Sequence, residues 1–278
     1  MAKWARFLQV SRSGYYTYIE GREEKARIKE ELKKEIKRIF DESGGEYGPD
    51  RICGILRKNG YKASYKKASE YMAEMKLVSV YNRHKKSRSL TNSKKARGEG
   101  YPNLVRGNIF TMPRQVVCSD ITYLKSGEGW LYLCTVKDII SGEILGESFS
   151  ENMKKELVIQ AFLNAQARHK LAEGAIFHSD RGSQYTSKEF MDLLKLYGIK
   201  QSFSRVGMPG DNAWAESFFA TLKKVCIHFK HFATREELKQ EVFTWIHSRY
   251  NSNRVQKRLG YVSPKEYATM LIQESKAA

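Results

Sequence analysis

The segment from residue 114 to residue 150 is typical of three consecutive β-strands, and it restricts the possible folds more than any other feature. Strands are predicted at 114–124, 130–140 and 142–150, where β-branched and aromatic residues are frequent. The turns between them are short and contain glycine, and such turns join antiparallel neighbours. The sequence therefore predicts a three-stranded antiparallel unit at one side of a sheet.

Helices and strands alternate after this unit. We predict a helix at 152–170, a strand at 174–180, a helix at 187–198, a strand at 200–204, a loop at 206–212, a helix at 213–225, and two further helices that start at Thr234 and Ser263. The order βββαβαβα predicts an α/β fold with a mixed five-stranded sheet flanked by helices.

The chain before this region is predicted to be helical. In 25–42, apolar residues recur with helical spacing at Ile28, Leu32, Ile36 and Ile39, and two more short helices follow within 51–79. Three short helices with glycine-containing turns and a basic surface predict a small helix-turn-helix-like domain at residues 25–81. The alternative is a helical spacer with solvated lysines.

Positive charge is the dominant feature of the composition. The chain of 278 residues has 49 Lys and Arg against 31 Asp and Glu, which gives a net charge of +18. A basic linker is predicted at 82–108, in which Arg83, Lys85, Lys86 and Arg88 are expected to contact DNA. No apolar run is long enough to span a membrane, and no secretory signal begins the chain. Four dispersed cysteines without a C-x-x-C pair are typical of a cytosolic protein.

Three acidic residues are predicted to meet at one edge of the sheet. Asp120 lies within a hydrophobic strand, Asp180 ends the next parallel strand, and Glu216 lies near the start of a helix. Oxygen ligands suit hard ions such as Mg²⁺ or Mn²⁺, and a pair of such ions can assist an in-line phosphoryl displacement. Each acid alone has an ordinary alternative, as an edge-strand charge, a turn residue or a helix N-terminal charge.

The spacing of these acids resembles a known signature. Asp120 precedes Asp180 by 60 positions, 35 residues separate Asp180 from Glu216, and Lys223 follows Glu216 by seven. This resembles the D,D-35-E signature of retroviral-type integrases and insertion-sequence transposases. Further words match the second-frame (OrfB) product of the bacterial insertion sequences, namely DITY at 120–123, HSDRGSQY at 178–185, DNAWAESFF at 211–219, YN-x-x-R at 250–254 and LGY-x-SP at 259–264. The resemblance covers about residues 25–270.

The resemblance implies an RNase H-like integrase catalytic core at 109–272 behind the helix-turn-helix-like domain. It implies a DDE transposase in which Asp120, Asp180 and Glu216 are catalytic and hold two Mg²⁺ ions, with Mn²⁺ as a substitute. The substrates would be double-stranded DNA at element ends and in the target. A homo-oligomer on DNA is expected in the bacterial cytoplasm at the nucleoid. Residues 1–24 would be a fragment of a DNA-binding module from an upstream frame, whose product is a fusion or partner.

Basic residues around the acids are expected to bind phosphates, and the alternative is a solvated basic face. They are Arg181, Arg205, Lys223 and Lys224. His178 shares a strand face with Asp180. It would either reach a metal-bound water or phosphate, or hydrogen-bond within the protein and help to position the acids. Relatives often carry Glu and His where this chain has Val225 and Gln256, but neither departure falls on the acids, so the chemistry is expected to persist.

Four alternative interpretations concern a zinc site, a base-stacking surface, a DNA-binding protein without catalysis and a nuclease. Cys226, His228 and His231 lack a second pair at ligand spacing, so a zinc site is not predicted. Trp214, Phe218 and Phe219 are expected in the core rather than at a base-stacking surface. A DNA-binding protein without catalysis would be favoured by a missing acid, and a structure-specific nuclease would give hydrolysis without strand transfer.

Overall fold

The computed structural model describes residues 11–80, 102–205 and 208–277 of the chain. Two compact units, Met1–Arg83 and His84–Ala278, make up the molecule, and each is described by itself. The first ten residues and most of the predicted linker, including Arg83, Lys85, Lys86 and Arg88, lie outside the described residues. No helix in the described ranges is both long and apolar enough to cross a membrane.

The first unit contains helices α1 (Arg12–Glu42), α2 (Pro49–Lys58) and α3 (Tyr65–Glu74). Ser11 caps α1, because its hydroxyl accepts a hydrogen bond from the Gly14 amide at 2.9 Å. The boundary predicted after residue 24 falls inside this continuous helix. No proline interrupts the segment, and a helical glycine such as Gly21 costs only about 1 kcal/mol relative to alanine.

The core of this unit forms where the apolar faces of the three helices meet. Its buried members include Leu32, Ile36 and Ile39 of α1, Ile52 and Leu56 of α2, and Met72 of α3. Ile28, predicted on the same face, is instead exposed. At that end of α1 the contact with α3 is polar, since Glu74 forms ion pairs with Lys29 and Lys33 at 3.0 and 2.9 Å.

The second unit is built on a mixed five-stranded sheet. The strands are β1 (Val116–Ser126), β2 (Gly129–Asp138), β3 (Ile144–Ser150), β4 (Ile176–Ser179) and β5 (Lys200–Phe203), in the order β3-β2-β1-β4-β5. β1, β2 and β3 are antiparallel, whereas β4 pairs parallel with β1 and β5 pairs parallel with β4. The predicted α/β class and the antiparallel start of the sheet are confirmed.

Helices α4 (Lys155–His169) and α5 (Lys188–Leu196) cover one face of the sheet. An aromatic group fills the layer between them and the strands, with the Phe162, Phe177 and Phe190 rings in edge contacts. β3 and α4 approach so closely that a Cβ on Gly146 would collide with the Ala161 carbonyl oxygen. Glycine is therefore required at this position.

Helices α6 (Ala213–Leu222) and α7 (Arg235–Thr244) cover the opposite face, and α8 (Pro264–Ala277) ends the described chain. Phe218 and Leu222 of α6 pack against Leu124 and Leu133 of the sheet. The helix predicted at 213–225 ends earlier than expected, because the chain widens into a π-helical turn at Lys223–Ile227. A second π-helical segment, Trp245–Asn251, follows α7.

The sequence has capping-box patterns at Thr186–Glu189, Thr234–Glu237 and Ser263–Glu266, and two of these three hold their helix starts. Thr234 and Glu237 form the full reciprocal box at α7, and Ser263 accepts from the Glu266 amide at 3.2 Å at α8. A capping box from Thr186 to Glu189 is absent from the described α5 start, where Ser187 is the N-cap residue. The Thr186 hydroxyl donates instead to the Gly182 carbonyl at 3.3 Å, within the loop that follows Asp180.

Candidate active site

The candidate site lies where two parallel strands separate. β1 and β4 pair only from Val116↔Ile176 to Cys118↔His178, and β1 then continues while β4 ends. Asp120 and Asp180 each lie two residues beyond the last pair. Parallel strands have matching registers, so the separation places these two acids side by side at the mouth of a crevice.

Asp120 is held within β1 opposite Thr135 of β2. Its Oδ1 accepts a hydrogen bond from the Ile121 amide at 2.8 Å. The pKa of Asp120 is raised to about 7, mainly by burial and next by the negative charges of Asp180 and Glu216. The hydrogen bond from the Ile121 amide and the positive charge of Lys223 act in the opposite direction. Its carboxyl group therefore senses both of the other predicted acids.

Asp180 begins the loop after β4. Its Oδ1 accepts from the Gly182 amide at 3.0 Å, and a Cβ on Gly182 would lie 3.1 Å from the same oxygen. A small residue therefore suits this turn. The Asp180 side chain is exposed at the surface, but closely surrounding protein removes part of its hydration and raises its pKa.

Glu216 lies in the first turn of α6 with an exposed side chain. The positive end of the helix dipole favours a carboxylate there. A short 3-10 turn, Pro209–Asn212, leads into the helix, and the Asn212 side-chain amide donates to the Ser119 carbonyl at 3.3 Å. Since Ser119 directly precedes Asp120, this bond connects the start of α6 to the β1 position that carries the first acid.

Lys223 brings a positive charge to the same crevice. It begins the π-helical turn after α6, and its Nζ lies 4.8 Å from the centre of the Tyr123 ring. Partial burial lowers the pKa of Lys223, while the charge of Asp120 raises it. The lysine is therefore close enough to Asp120 for each charge to act on the other.

The donor set at this site suits a hard divalent cation. Three carboxylates supply only oxygen ligands, and their mutual repulsion, seen at Asp120, is what a bound cation would relieve. Within the described ranges, no three His, Cys, Asp or Glu side chains are close enough together to hold an ion as they stand. Mg²⁺ sites commonly combine one or two carboxylates with substrate phosphates and waters rather than an all-protein cage, and the open crevice is compatible with that arrangement.

Comparison with known proteins identifies the family. Two family models, both described as integrase core domain, match residues 111–209 and 216–272, and an HTH-like domain matches residues 27–85. The transposase for insertion sequence element IS904 of Lactococcus lactis is 38% identical over 86% of this chain and 94% of its own length. The chain belongs to the OrfB-type insertion-sequence transposases. The transposase InsF for insertion sequence IS3A of Escherichia coli is 34% identical over 94% of the chain and 91% of its own length.

Solved structures similar to this transposase include two retroviral integrase cores. The HTLV-2 integrase catalytic core domain in complex with magnesium has 18% identity and a TM-score of 0.44, covering 56% of this chain and 97% of that one. The catalytic core domain of BIV integrase has 16% identity and a TM-score of 0.45, covering 59% of this chain and 99% of that one.

A buried hydrogen-bond network in the transposase links β4 to the start of α6. His178 Nδ1 lies 2.9 Å from the Ser202 hydroxyl, and its Nε2 lies 3.1 Å from both the Ser204 hydroxyl and the Asp211 carbonyl oxygen. Burial lowers the pKa of His178, which favours the neutral ring. A carbonyl can only accept, so Nε2 carries the proton and donates to Asp211.

Asp211 fixes the same loop through its side chain. Arg205 donates to its carboxylate from Nε at 2.9 Å, from Nη2 at 3.0 Å and from the backbone amide at 3.0 Å, and Asn103 donates at 3.1 Å. These bonds hold the pKa of Asp211 well below its usual range. We call the set formed by His178, Ser202, Ser204, Arg205 and Asp211 the loop latch.

The charges of Asp180, Glu216 and Lys223 act on Asp120, whereas two of the predicted phosphate-binding residues, Arg181 and Arg205, bond to other protein groups. Arg205 is committed to Asp211, and Arg181 Nε donates to the Ser204 carbonyl at 3.1 Å. Lys224 is half-buried beside Lys223. Phe218 and Phe219 are buried, as predicted for core residues, and the half-buried Trp214 packs against the core.

Val225 and Gln256, the two departures from the family's motifs, both have structural contacts of their own. Val225 packs against the apolar cluster under α6. Gln256 forms a backbone bridge with Val262, and its side-chain oxygen accepts from Arg258 Nε at 3.1 Å.

Two residues that shape the site, Asp211 and Lys137, were not predicted from the sequence. Asp211 entered the sequence analysis only as part of the DNAWAESFF motif. Its position directly before an Asn at a predicted helix start could have indicated a structural role. Lys137 is buried on β2, and its Nζ donates to the Trp214 carbonyl at 2.7 Å. A lysine in an otherwise apolar strand was the available signal, since buried lysines need partners.

Proposed function

We propose that this transposase cleaves DNA at the ends of its insertion sequence and joins the freed 3′-hydroxyl to target DNA, with Asp120, Asp180 and Glu216 as the catalytic acids. The observation that carries the proposal is the convergence of charge on Asp120. The carboxylates of Asp180 and Glu216 raise its pKa, and Lys223 acts on it with the opposite sign. Residues separated by up to 96 positions thus converge on one crevice.

The three acids would hold two Mg²⁺ ions, or Mn²⁺ in their place. When bound, such ions supply Lewis-acid stabilisation to the attacking and leaving oxygens of an in-line phosphoryl displacement. The protein's own contribution is to position the groups. β1 fixes Asp120, the Gly182 turn orients Asp180, and the loop latch holds the start of the helix that carries Glu216.

The proposed reaction consists of two displacements at phosphorus. In the first, a water molecule loses a proton as its oxygen bonds to the phosphorus at the element end, and the P–O3′ bond breaks, so that the 3′-oxygen takes up a proton and leaves as a hydroxyl. In the second, this 3′-hydroxyl loses its proton and bonds to a target phosphorus, and the target strand's P–O3′ bond breaks, with its 3′-oxygen taking up a proton in turn. Lys223 would balance charge on the phosphate beside Asp120.

Single amide substitutions of the acids test the assignment. Asp120→Asn, Asp180→Asn and Glu216→Gln should each abolish Mg²⁺-dependent cleavage and strand transfer on duplexes that carry the element ends, while DNA binding and the melting temperature stay near wild type. Asp192→Asn, which changes an exposed acid on α5, is the matched control. Near-normal turnover in any one of the three variants would remove that residue from the triad.

The cation requirement gives a second test. Mg²⁺ or Mn²⁺ should support both steps, and Ca²⁺ should permit DNA binding with little chemistry. Full activity of EDTA-treated protein without added metal would contradict the proposal. Joined products, rather than hydrolysis alone, would separate a transposase mechanism from that of a nuclease built on the same fold.

The oligomeric state and the protein partner are proposed from the resemblance to the family. We expect the transposase to act as a homo-oligomer on two element ends, and to work with the product of an upstream frame as a fusion or partner. Residues 1–24 would belong to that DNA-binding module. Its DNA substrate places the transposase in the bacterial cytoplasm at the nucleoid.

A further inference from the structure

Two aromatic side chains form a pair on the β1–β2 hairpin, further along β1 than Asp120. Tyr123 and Trp130 occupy diagonal positions, since Tyr123 pairs with Tyr132 and Lys125 pairs with Trp130. Their ring centres are 5.3 Å apart and the ring planes are nearly perpendicular, at 87°. We call this pair the aromatic platform.

The platform is open to solvent and rigidly supported. Trp130 is 42% exposed, although tryptophan is on average a highly buried residue. Its backbone is fixed, because Arg235 Nε donates to the Trp130 carbonyl at 3.2 Å and the Arg235 amide donates to Glu128 at 2.9 Å. The ring can therefore receive a ligand without a rearrangement of the hairpin.

Positive charges flank the platform on two sides. Lys223 lies over the Tyr123 ring, with 4.8 Å between its Nζ and the ring centre, and Lys223 also interacts with Asp120. Lys125 is exposed and opposite Trp130 in the strand register. Aromatic rings between cations are the combination that binds single-stranded nucleic acid, because bases stack on the rings and phosphates meet the charges.

We propose that the aromatic platform stacks one unpaired nucleobase of the DNA strand whose phosphate lies at the three acids. The inference rests on the proposed function, because it uses the same crevice and the same DNA. Lys223 connects the two parts, since it lies over the Tyr123 ring of the platform and its charge interacts with that of Asp120. A base held on Trp130 would fix the position of the strand relative to Asp120 and limit its slippage before cleavage.

Photo-cross-linking tests the contact directly and does not depend on catalysis. The probe is a single-stranded oligodeoxynucleotide that contains 5-iododeoxyuridine, irradiated with the full chain in EDTA. We expect cross-links to the hairpin peptide at Tyr123 or Trp130. The yield should fall strongly in Trp130→Ala and be retained in Trp130→Phe, which keeps an aromatic face.

Affinity measurements separate stacking from charge. Trp130→Ala should weaken binding of the same oligonucleotide roughly five- to 150-fold, the range typical of one stacked base. The slope of log K against log salt should not change, because no cation is removed. Lys223→Gln should instead flatten that slope by about 0.7. Phe243→Ala, which removes another exposed aromatic ring, is the matched control and should leave binding unchanged.

Cross-links that map only outside the hairpin, or a yield that Trp130→Ala leaves unchanged, would overturn the platform. Wild-type mapping decides the question even if a variant fails to fold. Loss of the platform would leave the acid assignment intact if Asp120→Asn still abolished cleavage. Conversely, an active Asp120→Asn variant would remove Asp120 from the catalytic triad whatever the cross-links showed.

Discussion

His178 connects the strand that leads to Asp180 with the loop that leads to Glu216. The sequence alone allows two roles for His178, which are contact with a phosphate and positioning of the acids through hydrogen bonds within the protein. Both ring nitrogens are engaged within the protein, by Ser202 on one side and by Ser204 and the Asp211 carbonyl on the other. The ring is fully buried, so the structure favours the positioning role.

Removal of this ring should loosen the site without preventing DNA binding. For His178→Ala we expect the Mg²⁺ concentration at half-maximal activity to rise, or the cleavage rate to fall, by about 10- to 100-fold, as for other residues that orient metal ligands. The measurement is a Mg²⁺ titration of cleavage alongside DNA affinity. His231→Ala, at an exposed histidine, is the control. An unchanged Mg²⁺ dependence would limit His178 to a packing role.

The Asp211–Arg205 pair gives a pH-dependent contribution to stability. The folded pKa of Asp211 is lowered from the unfolded value of about 3.9, so the pair stabilises fully above that value and is lost as the pH falls below it. Asp211→Asn should lower the melting temperature at pH 7 by about 2–4 °C, the effect of roughly 1 kcal/mol.

A melting series from pH 7 to pH 3 checks this linkage. The difference between wild type and Asp211→Asn should shrink as the pH falls below about 4, since protonation of Asp211 weakens the same bonds in the wild type. Asp192→Asn is the control for loss of an exposed acid. A difference that stays constant with pH would mean that the charge of Asp211 does not carry the effect.

The edge strand β3 shows how a side chain can substitute for a missing strand. The Asn251 side chain accepts from the Ile144 amide at 2.9 Å and donates to the Ile144 carbonyl at 2.8 Å, and the Asn164 side chain donates to the Glu147 carbonyl at 2.8 Å. These amides satisfy edge groups that would otherwise be buried without partners or free to pair with another chain. The Asn of the YN-x-x-R motif at 250–254 therefore has a structural role in the protein.

Asn251→Ala should therefore destabilise the catalytic unit. Two buried backbone groups would lose their partners, at a cost of about 2–6 kcal/mol, and the melting temperature should fall by about 2–4 °C for each kcal/mol. Thermal unfolding of the full chain measures the loss. Asn253→Ala is the matched control, because its side chain bonds to Ser248 at an exposed position. Equal melting temperatures for the two variants would show that β3 does not need the Asn251 amide.

At the scale of the whole molecule, charge dominates the expected behaviour toward DNA. Residues 82–98 contain seven cations and no acid. If half of them contact phosphates, replacement of these cations by Ala or Ser should flatten the slope of log K against log salt by roughly three units, since each neutralised phosphate contributes about 0.9. The change is measured by the binding of the wild-type chain and of the substituted chain to duplex DNA across a salt series. An unchanged slope would leave the segment as a spacer.

The sequence by itself determined the pattern of strands and helices and the identity of the acids. Frequent β-branched and aromatic residues, interrupted by short glycine-containing turns, predicted the three antiparallel strands. The spacing of Asp120, Asp180 and Glu216 gave the family resemblance, which the comparisons confirmed. The catalytic assignment of those acids stays a prediction, as do the DNA contacts of the basic residues.

Only the tertiary structure decided what surrounds those acids. The raised pKa of Asp120 depends on burial and on charges up to 96 residues away, and no local pattern contains that information. The π-helical turn at Lys223, the capture of Arg205 by Asp211 and the exposure of Trp130 likewise follow from how the helices pack on the sheet. Periodicity records which face of an element is apolar, whereas long-range contacts arise only when separate elements are brought together.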